Sequence, residues 1–189
     1  MLTLSPPLIA AEALDDVAAY LRLSGDDELT LLSGLLGTAL IQCEAFCGSV
    51  LLRRAGTEDV RITGTWQMLN ATPLRSISGI SGLSAAGEPT LIAASGYAID
   101  IDECGGGWLR IHDGGGAIRA RVSFEAGIAE QWGDIASPLR QGMLRLVAHL
   151  HAHRDRADDA GPPPAVAALW RSFRRLRLAG TISSGRISA

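Results

Sequence analysis

LTLLSGLLGTALIQCEAFCG, residues 29–48, decides how the rest of the chain is read. Its apolar positions Leu29, Leu32, Leu36, Ala39, Cys43 and Phe46 advance in steps of three and four, the spacing of one helix face. Leu31, Leu35 and Leu40 widen that face beyond what a one-sided surface helix needs. Gly48 can take the left-handed conformation that closes a helix. The spacing predicts a long, broadly buried helix, the spine of the fold. Just before it, Asp26, Asp27 and Glu28 set negative charge at the positive end of the helix dipole. Residues 9–23 read as an earlier helix, with Leu14, Val17, Ala18 and Leu21 inward and Asp15 and Asp16 in its first turns.

After Gly48 the apolar period falls to two. Strands are expected over 49–54, 59–66, 74–83, 90–101, 108–112 and 117–124, parted by turn-rich stretches that include the triple glycines 105–107 and 114–116. WLRIHDGGGAIRARVSF (108–124) reads as a hairpin turning at DGGG. Helix returns at Ser137-Pro138, a serine cap with proline at the first helical position. It is expected to run to Arg154, with Leu139, Met143, Leu146, Val147 and Leu150 inward. A polar break (155–161) and a three-proline spacer (162–164) precede a fourth helix over 165–178. The fold class expected is α+β: a mainly helical body of three to four helices, an inserted antiparallel β module and a C-terminal helical arm. The boundaries are 1–48 for the N-terminal helices, 49–130 for the module, 131–161 for the third helix and 162–189 for the arm.

Composition narrows the function. A chain of 189 residues that is 47% hydrophobic and 20% charged can bury roughly 70% of its unfolded surface and needs no staple. No apolar run reaches the roughly 18 residues of a membrane span. The start lacks the basic region of a signal peptide. A soluble chain made in a cytoplasm is therefore expected, and three cysteines that cannot all pair suit a reducing compartment. Every basic residue is Arg, and the net charge is −3. The distribution is uneven: the last 28 residues carry five Arg and no acid. A basic arm on an acidic body points to docking on another molecule rather than to catalysis.

Within that arm, Leu169, Phe173 and Leu176 step by four and three with Trp170 beside them, while Arg171, Arg174, Arg175 and Arg177 cover the remainder. One reading is a small helix packed on its own domain. The other is an anchor whose apolar residues enter a partner's groove while its guanidiniums pair with acids or phosphates. Elsewhere the candidates for chemistry are thin. His149 and His153 share a helix face, but His151 points away and no zinc-protease spacing follows. Cys43 and Cys47 form C-x-x-x-C within a helix, a core pattern rather than a redox turn. Asp100, Asp102 and Glu103 lack the further oxygens of a calcium loop. No nucleophile elbow occurs. No enzyme activity, cofactor or metal is expected.

The order of the parts resembles the phage head–tail connector (adaptor) family. The stretch 14–48 is similar to that family's short helix ending in L-R (Leu21-Arg22), its acidic turn (Asp26, Asp27, Glu28) and its long helix ending E-x-x-x-G (Glu44, Gly48). PLRSISGI (73–80) resembles the family's P-L-x-S-I strand, Tyr97 to Asp100 its Y-x-I-D strand, and VSFEAGIA (122–129) its V-x-F-x-A-G-Y segment, with Ile128 for the aromatic. SPLRQGMLRLVAHLHAHRD (137–155) resembles the last body helix, with His151 and His153 replacing Tyr and Glu. The terminal LWRSFRRLRL looks like the version found in phages of alphaproteobacteria and in gene transfer agents.

The resemblance implies a non-enzymatic ring of subunits, typically twelve, seated beneath the portal protein at the head–tail interface of a particle assembled in bacteria. It implies a stopper or tail-completion protein below, double-stranded DNA passing through without sequence-specific binding, and no membrane. The arm residues Leu169, Trp170, Arg171, Phe173, Arg174, Arg175, Leu176 and Arg177 would dock to the portal, Leu29, Leu32, Leu36 and Phe46 would serve body and ring packing, and Asp15, Asp16, Asp26, Asp27 and Glu28 are candidates to face the channel. One rival is a DNA-binding protein using the Arg-rich tail. Another is an enzyme or metal protein using the three histidines and Cys104.

Overall fold

The computed structural model describes residues 1–23, 28–153 and 161–175. In chain order these form β1 (Leu2–Leu4), α1 (Ala11–Leu21), α2 (Leu29–Cys47), β2 (Arg54–Arg61), β3 (Gln67–Met68), β4 (Leu74–Leu83), β5 (Pro89–Leu91), β6 (Tyr97–Ile101), β7 (Gly107–Ile111), β8 (Arg119–Ala126), α3 (Ser137–Ala152) and α4 (Pro164–Trp170). The architecture is α+β, helices around an inserted antiparallel module. Helix α2 ends where the glycine lies: Gly48 has φ +67° and its N–H donates to the Glu44 carbonyl at 2.8 Å.

Two cores form. The helical core gathers Val17 of α1, Leu32, Leu36, Ala39, Leu40 and Cys43 of α2, Met143, Leu146 and Val147 of α3, and Val166 and Trp170 of α4. The sheet core gathers Ile80, Leu109, Ile111, Val122 and Phe124. Two antiparallel sheets bound it, one of five strands in the order β1-β2-β8-β4-β5 and one of three in the order β3-β7-β6. Strand β8 alternates buried and open along its length, so Ala120, Val122, Phe124 and Ala126 face inward while Arg119 and Arg121 face out.

The structure departs from the sequence reading in several places. The segment 108–124 is not a hairpin: β7 pairs with β3 and β6, while β8 pairs with β2 and β4 in the other sheet. The reason is local. His112 and Asp113 both donate their N–H groups to the Gly96 carbonyl, which ends β7 and turns the chain away before the glycines. The expected strand 90–101 is broken by a turn of 3-10 helix at Ala94–Gly96. Residues 49–53 contribute one isolated bridge, Leu52 to Ala129, and the strand begins only at Arg54. The first residues belong to the sheet, not to the helical unit, because β1 pairs with β2. Helix α3 starts one residue early, with Ala136 as its N-cap and Ser137 already inside it. Helix α2 is by length and composition apolar enough to cross a bilayer, with mean hydropathy 1.5, against the expectation of no such run. Here one of its faces is packed into the helical core.

Candidate functional site

Glu44 is the one charged residue of α2, one turn before its end. Its carboxylate accepts the Leu51 N–H at 2.7 Å and a two-point contact from Arg54, Nη1 at 2.8 Å and Nη2 at 2.5 Å. The Glu44 and Arg54 side chains are 10% and 7% exposed. Arg54 Nη1 also donates to the Leu52 carbonyl. Burying two ions is tolerable because so many of their polar positions are occupied. The pair fastens the end of α2 to the first residue of β2, and so the helical core to the sheet core. Beside it, Gly127 runs at φ +145° against the Arg53 backbone, where a Cβ would collide. Arg53, although adjacent to Arg54, points out to Glu125 and Glu130. Glu58, buried on β2, accepts the Asn70 backbone and side-chain amides. Among these seam residues only Glu44 was singled out by its sequence pattern, and without a partner.

The arm residues are placed differently from the anchor reading. Trp170 is fully buried in the chain's own helical core. Its indole N–H donates to the Leu139 carbonyl at 3.3 Å, its ring lies 5.8 Å from that of Phe46, and it fills the space left by Gly142 of α3. Leu169 and Phe173 pack half-buried against the same core, and the Arg174 guanidinium stands 5.8 Å over the Phe46 ring. Arg175 donates its N–H to the Cys47 carbonyl at the end of α2 and its Nη1 to Thr72 Oγ1 and the Cys104 carbonyl. Arg171 is exposed. The helix is thus packed on its own domain through Arg175, because Val166 and Trp170 complete the core. Leu176 and Arg177 lie outside the described residues.

The remaining candidates divide. Leu32 and Leu36 are buried in the body, Leu29 is half-buried, and Phe46 lies under Trp170 and Arg174. Asp15 is exposed. Asp16 accepts the Trp132 indole N–H at 2.8 Å and stands 4.0 Å from Arg140. Glu28 pairs with His151 at 3.2 Å, and Asp26 and Asp27 lie outside the described residues. His149 and His153 stack with ring centroids 4.5 Å apart. Cys43 and Cys47 are buried free thiols; their mutual hydrogen bond first, then burial, pushes the Cys43 thiol far above its ordinary range. Asp102 closes a turn by accepting the Cys104 and Gly106 N–H groups. Among the described residues no group of three or more His, Cys, Asp or Glu is arranged to hold a metal ion.

No protein-family model matches the chain, and no curated protein does. Its fold is nevertheless similar to solved structures over almost its whole length. A chain in the neck of an empty gene transfer agent (GTA) particle, computed with C6 symmetry, superposes with a TM-score of 0.70 at 21% identity, covering 95% of this chain and 98% of that one. A chain from the virion of a native GTA particle gives 0.66 at 22% identity with the same coverage. One from the neck of a native GTA particle computed with C12 symmetry gives 0.64 at 23% identity, covering 94% of this chain and 98% of that one. The chain therefore shares its fold, over about 95% of its length, with chains found in GTA particle necks.

Proposed function

We propose that this chain is a non-enzymatic head–tail connector subunit of a phage-like or gene transfer agent particle. It forms a ring of twelve copies beneath the portal, receives a stopper or tail-completion protein on its other side, and lines the passage for double-stranded DNA without reading its sequence. The observation that carries this reading is the end-to-end likeness to a GTA neck chain, with both chains covered almost completely. The C6 and C12 symmetries of those necks support a cyclic assembly.

In this reading the C-terminal arm still docks to the portal, but its labour is divided at Arg175. Leu169, Trp170, Phe173, Arg174 and Arg175 hold the arm to the body, and the portal contact falls mainly to Leu176, Arg177 and the residues beyond, with exposed Arg171 beside them. The informative truncation therefore ends at Arg175, since removal from Pro162 onward would also take Val166 and Trp170 out of the core. The chain cut after Arg175 is expected to keep its thermal midpoint and lose co-purification with the portal protein. Undiminished portal binding by that truncation would sink the arm's role. A strongly salt-dependent affinity of the full chain for duplex DNA, lost on the same truncation, would favour the DNA-binding reading instead.

A further inference from the structure

Strands β2 and β8 run antiparallel with Arg61 directly opposite Arg119. Both guanidiniums therefore leave the same face of the five-stranded sheet, from Cα atoms about 4.5–5.5 Å apart. Both residues are exposed. Like charges set directly opposite destabilise a sheet. The neighbouring outward pair on the same two strands has the usual solution: Arg121 donates Nε and Nη2 to the two oxygens of Asp59 at 2.7 and 2.9 Å. With those oxygens taken, Arg119 acts on Asp59 only weakly and through space. Among the described residues neither Arg61 nor Arg119 has an ion pair.

Helix α1 carries the complement. Glu12 and Asp15 are three apart on one exposed helix face, a spacing of about 5–6 Å between Cβ atoms. Neither has an ion pair among the described residues, whereas the adjacent Asp16 is engaged by Trp132 and Arg140. Among the described residues, two cations and two acids without an ion pair thus stand on different elements of one chain, each pair at a spacing of about 5 Å expected for neighbours on a sheet or a helix face.

We propose that Arg61 and Arg119 of one copy receive Glu12 and Asp15 of a neighbouring copy, as the charged part of a head-to-tail contact. This rests on the ring reading above. A patch that meets a different patch on the next copy is the kind of contact that closes into rings. A second copy fits better than DNA. The chain is net acidic, and Asp59 and Glu125 share the same sheet face, so phosphates approaching two arginines would also meet carboxylates.

The test is a charge swap in the full chain, read by sedimentation at low salt. The wild type is expected to self-associate. R61E/R119E and E12R/D15R, each folded by circular dichroism, are each expected to associate about a hundredfold more weakly. An equimolar mixture of the two restores association, because each altered patch then meets its reversed complement. Association that survives either reversal, or fails to return on mixing, overturns the contact and leaves the ring reading standing. A wild type that stays monomeric at its highest soluble concentration overturns it too, while portal binding separately decides the neck reading. Loss of duplex-DNA affinity in R61E/R119E with self-association intact assigns the pair to DNA and overturns the proposal.

Discussion

The sheet core is closed from within, whereas the helical core is closed by the end of the chain. Strand β8 lies between β2 and β4 and buries Ala120, Val122, Phe124 and Ala126 in the middle of its own module. Helices α1, α2 and α3 leave a gap over Gly142 that is filled by Trp170, far along the sequence. The difference teaches that the C-terminal segment, as far as Arg175, is a structural plug for the helical core. It also locates dependence: a lesion in the module stays local, while the helical core relies on its last helix and on the seam at Glu44.

The seam is where the contrast is easiest to break. Glu44→Ala leaves Arg54 buried without its partner and is expected to cost about 3–5 kcal/mol in urea unfolding. If the two cores then melt separately, by far-ultraviolet and tryptophan signals that no longer coincide, Glu44 is what couples them. Coincident transitions at undiminished stability would refute its role. Trp170→Ala should cost about 3–5 kcal/mol. Hydrogen exchange would speed up in α2 and α3 with β8 still protected, and equal loss in β8 would erase the distinction between the cores. Gly142→Ala pushes a methyl into the Trp170 indole and should cost about 1–3 kcal/mol, relieved when combined with Trp170→Leu.

The smallest effect belongs to the sheet surface. The Arg121 guanidinium, hydrogen-bonded to Asp59, holds that carboxyl below its ordinary range. A depressed carboxyl contributes stability that is present above its unfolded value of about 3.9 and is lost as pH falls through the lower folded value. The stability gap between wild type and Asp59→Asn should therefore be constant near neutrality and shrink only below about pH 4. A gap that persisted unchanged into that acid range would rule the ion pair out as its source.

The sequence showed much of this fold where a signal is local. The α2 stripe and the Gly48 stop were readable because periodicity and a left-handed cap act within a few residues. Strand β4 was read with its bounds for the same reason. What failed was partnership over distance. The hairpin reading of 108–124 failed because alternation says which residues face inward but not which sheet a strand joins. Three-residue β1 is too short to carry a period. Trp170 misled because an Arg-rich amphipathic stripe looks the same whether its apolar side meets a partner or a groove made by a distant glycine. Arg61 and Arg119 are unremarkable in sequence and become a pair only through register.

Arg175 gives the molecule a mechanical property. Its backbone is tied to the end of α2 and its guanidinium to the loops carrying Thr72 and Cys104, so this one residue bridges the two cores. Tension applied to the chain after Arg175 would load those bonds together, in shear across the seam, before it could peel Trp170 from its seat. A segment rooted in this way can transmit force to both cores instead of unwinding its last helix.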